Sequence, residues 1–179
     1  VPSSAAFGDM DSETVMLSSQ NGSASAEFVL TTRAKAPVAV PYTENFDGVE
    51  APGMPSEWTA INTSGDAFTS AETAEISSAP SQPNAVKFDN EAETAADFMI
   101  VSPEIGSFVG NRLRFSANGA DGAELIIGTI TEPSEDGTFK AFDNVTLEGG
   151  WNSYKVPYSN QSEPDNRYLV IKHGNAAED

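Results

Sequence analysis

Apolar residues in this chain recur at every second position over short stretches, and each stretch ends in a cluster of Gly, Asn, Asp, Ser or Pro. No long stretch holds the apolar spacing of about 3.6 residues that an amphipathic helix needs. The chain is therefore expected to be all-β. Strands are predicted at Trp58 to Ile61, Ala85 to Phe88, Asp97 to Val101, Arg112 to Ala117, Ala123 to Thr131, Phe139 to Leu147, Ser153 to Pro157 and Arg167 to Lys172. In Arg112-Leu-Arg-Phe-Ser-Ala117, Leu113 and Phe115 point one way and the arginines the other, as on a sheet with one wet face. The continuous apolar runs Leu125-Ile-Ile127 and Leu169-Val-Ile171 predict central strands covered on both faces.

Eight or so strands in the stretch 41–179 suit an antiparallel two-sheet sandwich, and a jelly roll is the expected arrangement. An immunoglobulin-type sandwich is the alternative, although its loops are usually shorter than the segment Asn62 to Asn84. That segment reads as a surface excursion with one short helix around Thr69 to Ile76.

Ahead of the sandwich, residues 1–33 carry strand candidates at Thr14 to Ser18 and Ser25 to Thr32, with the hairpin signal Asn21-Gly22 between them. About 33 residues cannot hold a core alone. The hairpin reads as the tail of a preceding immunoglobulin-like domain, or as two extra strands docked on the main sandwich. Residues 34–40, rich in Ala, Pro and Val, read as a linker. The main domain is expected to begin at Pro41-Tyr-Thr-Glu-Asn-Phe-Asp-Gly48, whose strand would also offer Glu44 and Asp47 as oxygen ligands.

Nine Lys and Arg stand against 27 Asp and Glu, for a formal charge of -18. Such a surface repels phosphate backbones and argues against a nucleic-acid partner. It suits a secreted or cell-surface protein, a salt-adapted one, or one that takes up Ca²⁺ through hard oxygen ligands. The chain has no cysteine, which excludes disulfides, thiolate metal sites and cysteine nucleophiles. It has no apolar run of about 18 residues, so no membrane insertion is expected, and it reads as a mature fragment of a larger exported protein.

Catalytic signals are sparse. His173 is the one histidine, no G-x-S-x-G elbow occurs, and a single histidine does not supply a usual zinc site. With 27 acids some carboxylate pair will always stand at glycosidase spacing, so that signal decides nothing. The chain reads as a non-enzyme. Candidate Ca²⁺ ligands are Glu44, Asp47, Asp66 and Asp97, at predicted strand edges. Trp58, Trp151 and Tyr158 are candidate sugar-stacking platforms, with Tyr158 expected to be the most exposed. Four Asn-x-Ser/Thr sequons, at Asn21, Asn62, Asn144 and Asn160, would mean little in a bacterial protein.

Taken in order, PYTENFDG at 41–48, Ser56-Glu-Trp58, Ile61 to Asp66, Asp97 to Pro103, Arg112 to Phe115 and Trp151 to Val156 resemble the cleaved-adhesin, or gingipain-type adhesin, domain. The related choice-of-anchor modules of bacterial secreted proteins look similar. The resemblance spans residues 41–174 and implies a MAM-like jelly roll without catalytic activity, often holding structural calcium, that serves in adhesion or as an accessory module. It implies Glu44 as a calcium ligand, Asp47 as its neighbour, and Asp66 and Asp97 as secondary ligands. The Asp-rich loop usual after the first tryptophan is thinned to Asn62-Thr-Ser-Gly-Asp66, and the family's closing strand with its pair of acids has no counterpart before Asp179. A sheet edge left bare by that strand would invite pairing with another chain, or with the hairpin of residues 1–33. Expected partners are a glycan or a protein at a cell surface. Carbohydrate binding that targets an enzyme to polysaccharide is the competing function.

Overall fold

A computed structural model describes residues 10–18, 25–33, 35–63, 69–90, 98–158 and 167–174. All of its regular elements are strands: β1 (Met10–Ser18), β2 (Ser25–Arg33), β3 (Thr59–Asn62), β4 (Thr69–Glu75), β5 (Asn84–Asn90), β6 (Phe98–Glu104), β7 (Arg112–Ala117), β8 (Asp121–Ile130), β9 (Phe139–Glu148), β10 (Asn152–Pro157) and β11 (Tyr168–His173). The chain divides into two compact units, Val1–Pro37 and Val38–Asp179. In the first, β1 and β2 form an antiparallel hairpin that sets Met10 opposite Arg33 and Ser18 opposite Ser25. A two-stranded hairpin is marginal in water by itself.

The second unit opens at Val38, inside the segment predicted as a linker. Val38 donates to Glu104 O at 2.7 Å and accepts from Gly106 N, which makes a parallel bridge to Ile105. One sheet has the order β3-β6-β11-β8-β9, antiparallel throughout, with β11 at its centre. Two separate pairs, β4-β5 and β7-β10, supply the rest of the strands.

The packing explains how these pieces form layers. On the inner face of the large sheet, Phe98, Ile100 and Ile171 pack with Ala71, Val86 and Phe88 of the β4-β5 pair. Farther along the same face, Leu125, Ile127 and Leu147 pack with Leu113, Phe115 and Val156 of the β7-β10 pair. Ile61, Met99, Val101, Ile130 and Val170 form a buried cluster on the opposite face. β6 is accordingly buried from Phe98 to Pro103, and Val101, Ile127 and Val170 are fully buried. Each such aliphatic side chain contributes about 1.5–3 kcal/mol of transfer free energy.

The predicted strands at Arg112 to Ala117 and Ser153 to Pro157 pair residue for residue, with Leu113 opposite Val156 and Phe115 opposite Tyr154. Their burial alternates as the sequence requires, and Leu125-Ile-Ile127 and Leu169-Val-Ile171 do lie in inner strands of the large sheet. Two expectations are corrected. The short helix around Thr69 to Ile76 is β4, paired in register with β5, because Ala71 and Thr73 are buried in alternation with partly exposed Glu72 and Ala74. Its Ala and Glu favour a helix locally, and sheet pairing overrides that weak preference. The segment 41–48 is a turn and not an opening strand: Phe46 has φ of 63°.

Candidate functional site

A groove of about 480 Å³ opens in the layer made by the two strand pairs. One wall is β5 from Asn84 to Phe88, and the other is β7 from Arg114 to Ala117. Among the described residues each strand is laddered on one side only, to β4 or to β10, and no ladder joins the two walls. Ile100, Leu125 and Ile171, from three neighbouring strands of the large sheet, lie between them as an apolar floor. Trp151, in the β9–β10 turn, lines the groove and donates from Nε1 to Ser78 Oγ at 3.3 Å, which bridges the two halves of the layer.

His173, Glu44 and Asn84 of the groove are held by their surroundings. His173 ends β11 stacked on Phe98, ring centroids 4.7 Å apart and 22° from parallel, with Phe88 at 6.1 Å. Its ring is part of the core packing. Glu44 Oε1 accepts from Asn45 N at 3.0 Å and from Phe46 N at 2.8 Å, while Oε2 accepts from the Tyr42 hydroxyl at 3.3 Å. These bonds hold Phe46 in its left-handed conformation, which costs a non-glycine residue roughly 1–3 kcal/mol. The Phe46 ring meets Trp58 edge-on at 5.0 Å. Burial is the main reason that the Tyr42 phenol titrates above its ordinary range; the Trp58 hydrogen bond opposes the shift and Glu44 adds to it.

Asn84 ties this turn to β5. It is 1 % exposed, and its Nδ2 donates to Phe46 O at 3.2 Å and Val49 O at 2.7 Å, while its backbone N donates to Asp47 Oδ1 at 3.1 Å. Its own Oδ1 is buried and has no hydrogen-bond partner. The carbonyls of Phe46 and Val49 and one oxygen of Asp47 are already taken by Asn84 donors, which leaves the buried Asn84 Oδ1 as the partnerless oxygen beside this turn, a hard donor of the kind that Ca²⁺ takes. No group of three or more His, Asp or Glu suited to a metal occurs among the described residues. Asp47 and Asn84 supply oxygens that suit a calcium ion in kind, whereas the two oxygens of Glu44 hold its own turn.

The remaining candidates separate. Asp66 and Asp97 lie outside the described residues. Tyr158 is not the exposed platform expected of it. It is 9 % exposed, its ring stacks on Phe108 at 4.9 Å and meets Phe142 at 5.1 Å, and its N–H bonds to Asn111 O, so the residue after β10 folds back into the core. Trp58 is half-buried against Phe46, with Nε1 donating to Tyr42 Oη at 3.1 Å. Trp151 is therefore the one aromatic of the three that lines the groove.

Two features escaped the sequence reading. Asn84 carries no motif; a buried Asn after Gln82-Pro83 is visible only through its partners. The cations Arg114 and Lys155 stand directly opposite each other on the exposed face of β7-β10, with Arg112 two residues away. The alternation in Arg112 to Phe115 placed the arginines outward, but the strand register was needed to bring Lys155 beside them. In comparisons with known proteins, no family model, curated protein or solved structure matches this chain.

Proposed function

We propose that this protein is a non-catalytic binding module, of the adhesion or accessory type, acting outside the cell as part of a larger secreted or surface protein. The groove between β5 and β7 carries this reading: a concave site with an apolar floor, set between two sheet pairs, whose His173 and Glu44 are engaged in packing and turn bonding. Rigid scaffolds that present such a concavity are suited to binding. The jelly-roll arrangement belongs to the same proposal, supported by the layering of one five-stranded sheet against two antiparallel pairs. So does structural calcium, for which Asp47 and Asn84 would supply ligands next to the groove. Bound there, the ion would fix the turn 44–49 against β5.

The test is binding of the purified module to intact cells, matrix proteins and a glycan array, alongside ester, peptide and glycoside substrates. Saturable binding without turnover supports the reading; turnover of any of these substrates overturns it. Carbohydrate is the second reading, favoured by one observation, the Trp151 indole on the groove wall. It predicts that Trp151→Ala abolishes glycan binding.

A further inference from the structure

The groove has an unusual construction. Among the described residues its walls are two strand edges with no ladder partner, although Asn84 N at one end donates to Asp47 Oδ1, and its floor is the inner face of β6, β11 and β8. A free strand edge presents a row of backbone N–H and C=O groups, which makes it a template for a further strand. A strand laid in the groove would meet such an edge on either hand. Its inward side chains would rest on Ile100, Leu125 and Ile171, so apolar residues at alternate positions suit it.

Charge decides what the outward positions should carry. The chain holds nine Lys and Arg against 27 Asp and Glu. Yet three of the nine, Arg112, Arg114 and Lys155, share the exposed face of β7-β10. Arg114 and Lys155 are direct cross-strand partners, a like-charge pairing that disfavours the sheet by itself. On the opposite wall Lys87 pairs with Asp89 on its own strand and stands opposite Glu72 of β4, and Glu44 and Glu124 also line the groove, so the cationic face of the site is that of β7-β10. A strand seated in the groove would set its outward side chains beside Arg114 on one side and Lys87 on the other. Acidic side chains there would relieve the Arg114–Lys155 repulsion.

We infer that the groove between β5 and β7 accepts an extended peptide strand in which apolar and acidic residues alternate, by β-strand addition to the β5 and β7 edges. The inference deepens the binding-module reading by giving the ligand its chemistry, and it rests on that reading. Trp151, hydrogen-bonded across to Ser78, marks where the seated strand must pass.

The test is an NMR titration of the whole chain with three capped peptides: one alternating Val with Glu, one alternating Val with Lys, and the Glu peptide with a central Pro. The Glu peptide should shift and protect backbone amides of Ala85 to Phe88 and Arg114 to Ala117. It should bind about tenfold more tightly than the Lys peptide, as a few cross-strand charge pairs give. The Pro peptide, lacking a central N–H, should bind more weakly. The double variant Arg114→Glu, Lys155→Glu changes only exposed positions and should reverse the preference between Glu and Lys peptides. No shift on either wall with any peptide, in a protein whose spectrum is that of a folded sandwich, overturns the inference. So does a response to polygalacturonate confined to the cationic face, which would assign that face to an acidic glycan, and so does concentration-dependent self-association that protects the same amides. Binding to cells that persists when the peptides fail would leave the module reading standing and remove this inference alone.

Discussion

Asn84→Ala removes the side chain that joins the turn 44–49 to β5, and its cost follows from the bonds. Two Nδ2 hydrogen bonds disappear, to Phe46 O and Val49 O. At about 1 kcal/mol net for each bond, with a further ~1–2 kcal/mol because the two carbonyls left unsatisfied are part-buried, the loss comes to roughly 3–4 kcal/mol. Removing the partnerless Oδ1 returns about 1 kcal/mol of desolvation. The net is a destabilisation of about 2–3 kcal/mol, or about 5–10 °C in melting temperature for a domain of this size. Urea unfolding followed by tryptophan fluorescence suits the question, since Trp58 packs on Phe46 in that turn. Asn84→Asp tests the sign: a carboxylate of the same shape faces two carbonyl acceptors, so it should cost more than Ala without calcium and recover in part when calcium is added. An Asn84→Ala cost under about 0.5 kcal/mol, the range of an ordinary surface change, or an Asn84→Asp variant that matches the parent protein in chelator, would mean that this side chain does not hold the turn to β5.

Other sites give sharp expectations. Tyr158→Ala should cost about 3–5 kcal/mol, the range for losing a buried aromatic, because Tyr158 packs between Phe108 and Phe142; a small loss in chemical denaturation would return it to the surface. Gly128→Ala should destabilise by about 1–3 kcal/mol, since a Cβ there would lie 2.6 Å from Lys140 O and closer still to the Phe139 ring; a neutral result in the same assay contradicts that packing. The Tyr42 and Tyr168 phenols both titrate above their ordinary value near 10, chiefly through burial, with neighbouring acids adding to the shift. The folded chain therefore holds these protons where the unfolded chain has released them, so their contribution is complete below pH about 10 and is lost as pH rises through the folded values. Absorbance at 295 nm should show two phenols ionising later than free tyrosine; four ordinary titrations would contradict it.

What the sequence made legible was whatever period and turn chemistry control. Leu113 and Phe115 inward, the arginines outward, and the apolar runs 125–127 and 169–171 in inner strands all follow from alternation and burial. Alternation says nothing about which strands become neighbours, so the gap between β5 and β7 was not readable, nor was the Arg114–Lys155 pair that the register creates. β4 was misread because Thr69 to Ile76 carries helix-favouring Ala and Glu, and only the partner strand β5 reveals the period of two. Tyr158 looked exposed because it follows Pro157 in a polar stretch; the aromatic slot between Phe108 and Phe142 joins residues far apart in sequence. Glu44 was singled out as an acid beside Phe46, yet its role in the structure is local, accepting the amides of the next two residues.

β5 and β7 flank an open lane over the large sheet. Cross-strand Hα–Hα NOEs measure it directly, since paired antiparallel strands bring Cα atoms to about 4.5–5.5 Å. In the free protein such NOEs should join β4 to β5 around Thr73 and Val86, and β7 to β10 around Leu113 and Val156. None should join Ala85–Phe88 to Arg114–Ala117. A ladder of NOEs between those two segments would close the lane and leave no edge for a seated strand.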